Sequence, residues 1–286
     1  MFDSPFRWNL TNENSLGSLL KGEKGFVYPT FYDELLNCSV RTLAFAGDSD
    51  IYFVGRSPES LFDFLSGILF ETDWRERLTL LSFSMRFREE KEIININPSG
   101  FDALKTYFTN VGLHPDEIAT NERPITFIDL VLTGDTFGRL IGVLKSWSEE
   151  EKVDWNSVKR RIKLIGITQR TKTSPKTLRW QQHCDWIKLL KNGSVKNVSV
   201  SRSLWDYLGN YQDKVSRSYT PENWGNDSFA LPSYQSGQLK GLRLAYEVFN
   251  KGKDREMRLL FASQMIKEKE MKESWFRDLI LKIKAK

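Results

Sequence analysis

Cysteine and histidine are scarce in this chain: its 286 residues hold Cys38 and Cys184, and His114 and His183, and no others of either type. Neither a disulfide framework nor a Cys/His zinc site can be built from so few. His183 and Cys184 adjoin, but neighbours on a helix point apart, so the pair reads as surface side chains. Long hydrophobic runs are missing too, and nothing in the sequence is long and apolar enough to cross a bilayer. The first thirty residues, with Asp3, Arg7, Asn9 and Glu13 spread through them, hold no uninterrupted apolar stretch of the signal-peptide kind. A cytoplasmic protein with no membrane partner is expected. Excess charge is also confined: the net +5 resides from Lys251 onward, where eleven Lys and Arg face six Asp and Glu. Glu268, Glu270, Glu273 and Asp278 interleave with those cations, the pattern of a solvated helix face. Nucleic-acid binding through this basic tail is the weaker reading.

What the chain does have is enough length and, at 40% hydrophobic, enough apolar content for a full core. Its most organised stretch is Pro124 to Trp147. Ile125, Phe127, Ile128, Leu130, Val131 and Leu132 form a nearly continuous apolar run, the composition of a strand covered on both faces, interrupted by one acid, Asp129. Beyond Thr133-Gly134-Asp135-Thr136, Phe137, Leu140, Ile141, Leu144 and Trp147 fall at helical spacing. A helix therefore starts within that quartet, with Thr133, Asp135 and Thr136 as candidate caps. A glycine-containing turn with free amides at a helix start suits a phosphate.

Other segments follow the same alternation. Thr42 to Ala46 and Ile51 to Gly55 read as two strands joined at Gly47 to Asp50. Ser57 can cap a helix with Pro58 at its first position, carrying Leu61, Phe62, Leu65, Ile68 and Leu69 inward. The turn before it is Gly55-Arg56-Ser57-Pro58-Glu59-Ser60. Leu78 to Phe83 reads as a strand, 85 to 92 as a charged excursion, and Pro98 or Ser99 as the start of a helix ending near Val111. A short polar segment, His114 to Arg123, then leads into the strand at Pro124. Trp155 to Arg161 is expected as a short helix, with Ile162 to Thr168 and Val195 to Val200 as further strands. Residues 168 to 177, rich in Lys, Arg, Thr and Ser, lie past a strand's carboxyl end, where an open α/β sheet holds its ligands. Residues 211 to 235 read as a polar surface connection, and Gly237 onward as two or three amphipathic helices broken near Gly252. The fold expected is α/β, a mostly parallel Rossmann-like sheet with helices on both faces plus a C-terminal helical appendage.

Over about residues 41 to 200 the chain resembles the type I phosphoribosyltransferases. Phe127-Ile128-Asp129-Leu130-Val131-Leu132-Thr133-Gly134-Asp135-Thr136 corresponds to that family's signature of two acids, aliphatic residues and Thr-Gly-x-Thr. The first acid is replaced by Ile128, and Leu132 stands where an acid or Thr is frequent. The resemblance implies 5-phosphoribosyl pyrophosphate as ligand, with Mg2+ as cofactor. It assigns Asp129 as the catalytic acid and a holder of a metal-bound water, and Thr133, Gly134, Asp135 and Thr136 as the phosphoribosyl site. It assigns Gly55, Arg56, Ser57, Pro58, Glu59 and Ser60 as the pyrophosphate turn, and Arg86, Arg88 and Lys91 as part of a mobile loop. Arg170, Lys172, Trp205 and Tyr207 are the acceptor-site candidates, the two aromatics being better suited to core packing.

Three regions follow: an arm or lid at 1 to 40, a phosphoribosyltransferase-like core at 41 to 200, and a mainly helical region at 201 to 286. Two functions are expected from them. One is a glycosyltransferase of nucleotide metabolism that joins ribose 5-phosphate to a nitrogenous acceptor. The other is a non-catalytic module of the same fold that senses a nucleotide. A homo-oligomer or protein partner would dock through the C-terminal helices.

Overall fold

Residues 6–85, 98–170 and 179–285 are described by a computed structural model. Five strands form one sheet: β1 (Asp50–Val54), β2 (Leu78–Leu81), β3 (Ile125–Leu130), β4 (Ile162–Gln169) and β5 (Val195–Val200). All neighbours run parallel, in the order β2-β1-β3-β4-β5. The helices are α1 (Phe31–Ala46), α2 (Glu59–Ile68), α3 (Pro98–Asn110), α4 (Pro115–Thr120), α5 (Asp135–Glu150) and α6 (Trp155–Arg161), then α7 (Arg202–Asp206), α8 (Ser236–Lys253), α9 (Arg255–Met265) and α10 (Ser274–Ala285).

Strand alternation divides the interior in two. Ile51, Phe53, Ile128 and Ile165 face α1, α2 and the C-terminal helices, whereas Tyr52, Val54, Phe127 and Leu164 face α3 to α6. The chain steps from β1 to β2 under the first layer. It then crosses back over β1 to β3 under the second, so these two crossovers lie on opposite faces of the sheet. The α/β class and the parallel sheet with helices on both faces agree with expectation.

Four expectations are corrected. Thr42 to Ala46 is the last turn of α1 instead of a strand, and Gly47, at φ 73°, stops the helix. The exposed polar stripe of α1, Asp33, Asn37 and Arg41, ends just before this turn, and a short apolar run taken alone reads equally as strand. His114 to Arg123 contains α4, with Pro115 in its first turn and the His114 side chain accepting from the Asp116 amide. Residues 211 to 235 are only in part a surface connection: Val215, Ser216, Tyr219, Trp224 and Ser233 are buried, whereas 225–228, 230 and 231 are exposed. Tyr219 packs on Phe6 and Tyr107, and Trp224 stacks on Phe83. Finally, α2 begins at Glu59 behind Pro58, with no capping bond from Ser57.

The C-terminal helices, read from the sequence as an appendage, contribute Leu244, Val248, Phe261, Met265, Phe276 and Leu279 to the same cluster as β1 and β3. Helix α8 meets α2 backbone to backbone. A Cβ on Gly67 would stand 2.0 Å from the Phe249 carbonyl oxygen, and one on Gly252 2.4 Å from that of Phe64. Some of the tail's cations are tied to the core, with Arg258 3.3 Å from Glu71 and Lys282 2.7 Å from Asp73.

Candidate functional site

In this strand order the chain leaves β1 toward β2 and β3 toward β4 in opposite directions, so the crevice position of an open α/β sheet falls between the carboxyl ends of β1 and β3. The turn after β1 and the turn after β3, the two that the sequence singled out, both lie there.

Asp129 is the penultimate residue of β3 and is 6% exposed. One carboxylate oxygen accepts the Leu130 amide at 2.7 Å. Burial pushes its pKa up to about 7, against the pull of that amide, of a hydrogen bond with Thr136 and of the Lys214 charge. Lys214 is shifted the other way. Burial brings its ammonium down to about 8, with Arg56 pushing it further down and Glu59 and Asp129 pulling it up. An acid and a base that both titrate near neutrality, beside an arginine, form a site able to hold an anion and exchange protons.

Lys214 is held there by a staple that the sequence did not reveal. Glu59, 2% exposed at the start of α2, accepts the Val215 and Ser216 amides at 3.0 Å each, together with the Ser216 hydroxyl. Gln212 accepts the Ser60 hydroxyl at 2.6 Å and donates to the carbonyls of Arg56 at 3.2 Å and Ser57 at 2.9 Å. Of the expected pyrophosphate turn, then, Glu59 and Ser60 face residues 212–216 and Pro58 is buried. Arg56 and Ser57 stay half-exposed, and Gly55, at φ 72°, provides the bend.

The turn after β3 is built on Gly134, at φ 90°, which stands at the cap position of α5. None of the three expected caps makes a capping bond. The Thr133 hydroxyl donates to Asp135 at 2.7 Å, and both residues are exposed. Trp180 lies over the glycine, where a Cβ would come within 2.6 Å of its ring. The Cys184 thiol donates to the Thr133 carbonyl at 3.1 Å. Cys184 is thus half-buried against the site, correcting its expected surface position, while His183 is exposed.

Three of the four acceptor-site candidates are among the described residues. Tyr207 is buried against Tyr28 and Phe31, its hydroxyl donating to the Phe26 carbonyl at 2.7 Å, and Trp205 packs on the same cluster. Arg170 reaches the Ser199 carbonyl at 3.4 Å beyond β4. Lys172, Arg86, Arg88 and Lys91 lie outside the described residues. Among the described residues no three His, Cys, Asp or Glu side chains gather as a metal site. Family models, curated proteins and solved structures yield no match to this chain.

Proposed function

We propose that the crevice binds a phosphoribosyl compound, 5-phosphoribosyl pyrophosphate with Mg2+, and that the protein transfers its ribose 5-phosphate to a nitrogenous acceptor. The observation that carries this reading is the buried Asp129 carboxylate, on the strand that runs into the Gly134 turn and within reach of the charge of Lys214, which in turn feels that of Arg56. Asp129 would accept a ribose hydroxyl, and the amides opening α5 would take the phosphate monoester. Arg56 and Lys214 would hold the diphosphate, whose charge grows as the bond to the ribose carbon breaks. The acceptor nitrogen forms the new bond at that carbon, and its proton leaves to water.

Mg2+ fits as an ion that arrives with the ligand. Asp129 would be the residue to hold it, since this metal is ordinarily bound by one or two protein acids together with substrate phosphates. Bound so, it would offset phosphate charge. A non-catalytic, ligand-sensing module of the same architecture has one observation in its favour, the engagement of Glu59 and Ser60 by residues 212–216.

Calorimetry with phosphoribosyl pyrophosphate, with and without Mg2+, tests the reading. Binding that Mg2+ strengthens and that Asp129→Asn weakens about tenfold or more supports it. No heat under either condition overturns it. Binding without pyrophosphate release across a panel of nitrogenous bases would favour the sensing module.

A further inference from the structure

At the amino edge of the sheet, opposite the crevice, a cleft of about 410 Å3 opens between α6 and the turn before β5, lined in part by Lys159, Arg160, Lys191 and Asn192. A hollow of about 170 Å3 shares Arg160, Lys191 and Asn192 with it and continues over the start of β4 to Lys163, Ser194 and Lys196. Five cations thus line one recess, and no carboxylate does. Among the described residues none of the five is within ion-pair distance of an acid.

Like charges gathered against a low-dielectric wall repel one another, and a bound anion relieves that repulsion. Lys163 feels it: burial holds its ammonium below the usual range and Lys196 pushes it lower, with Asp48 pulling the other way. Its Nζ is held in place by donating to the Ala46 carbonyl at 3.1 Å. Behind the wall of the recess the Ser194 hydroxyl is buried and has no hydrogen-bond partner among the described residues. The floor is apolar, formed by Phe45, Ile162 and Leu164.

We propose that this recess is a second ligand site, for a phosphorylated small molecule of nucleotide size whose phosphates meet the cations and whose body lies on the apolar floor. A cleft of about 410 Å3 is within the range of small-molecule sites. The site lies at the edge opposite Asp129 and stands whether or not the crevice binds a phosphoribosyl compound.

Calorimetry with ADP and with inorganic triphosphate on the full chain tests it, against the double variant Arg160→Glu/Lys191→Glu. Both replaced side chains are exposed, and circular dichroism checks that the fold persists. Both probes should bind the wild type, and both should weaken by about tenfold or more in the variant. Amide exchange in the wild type should slow over residues 159–164 and 191–196 when ADP is added. A smaller loss, no binding of either probe to the wild type, or protection confined to the crevice overturns the proposal. So does tighter binding of a short single-stranded RNA than of ADP, which would mean a nucleic-acid groove.

Discussion

Asp129 was legible from the sequence because a lone acid inside a six-residue apolar strand has few structural uses, whereas Lys214 was not legible at all. Nothing near Lys214 shows periodicity. It is desolvated because Glu59, distant in sequence, and Gln212, two residues away, fasten its segment to α2 and the turn before it. The two shifts lead to separate expectations. Below the unfolded value of 3.8 Asp129 is protonated in both states. As pH rises, the unfolded carboxyl ionises first, so stability is lost progressively until the folded pKa of about 7 is passed. Asp129→Asn removes that loss. Urea unfolding at pH 8 should therefore find the variant more stable than wild type by about 2–4 kcal/mol, with the difference shrinking toward pH 4. A difference independent of pH would contradict the burial argument. Glu59→Gln should have the opposite outcome for stability, about 1.5–3 kcal/mol lost, because the two backbone N–H groups go to different carboxylate oxygens and an amide would turn an NH2 toward one of them. With the Glu59 charge gone, the Lys214 pKa should fall below about 8, which NMR of the lysine side-chain carbons reads directly. An unmoved Lys214 would place Glu59 too far away to matter.

Elements were readable where punctuation bounded them and unreadable where burial erased their pattern. Gly55 and Pro58 mark the start of α2, Gly134 that of α5, and Asp154 caps α6 by accepting the Asn156 amide. Helix α1 is the counterexample: covered on most sides, it presented its last turn as a strand. The crossing of α2 with α8 could not be foreseen, since Gly67 and Gly252 in isolation look like ordinary helix weaknesses. In the structure each lets the other helix's backbone approach. Alanine favours a helix interior over glycine by about 1 kcal/mol, so on propensity alone Gly67→Ala should stabilise the protein. Its methyl group would instead have to occupy a position 2.0 Å from the Phe249 carbonyl oxygen, and the helices would have to separate. The overpacking term should win, for a net loss of about 1–3 kcal/mol in chemical denaturation. A stabilised Gly67→Ala protein would show that α8 does not sit where it is described.

For the whole molecule, the parallel sheet followed from strands and helices that alternate along the sequence, because parallel neighbours need long crossovers and those crossovers cover both faces. The order of the strands did not follow, since it depends on which face each connection takes. Nor was it visible that the last fifty residues complete the main core. An amphipathic helix shows that it covers something, not what it covers. Leu244, Val248, Phe261 and Phe276 lie in the cluster that holds Ile51, Phe53 and Ile128, and each of the four is at most 2% exposed. Burying such a side chain is worth about 1.5–3 kcal/mol, so losing all four removes an amount comparable to the roughly 5–15 kcal/mol that separates folded from unfolded domains. A chain ending at Gln235 should therefore lose the cooperative unfolding transition of the full protein and bind a hydrophobic dye, even though all five strands remain. If that shortened chain unfolds cooperatively near the full-length midpoint, the C-terminal helices are a dispensable layer and the sheet carries its own core.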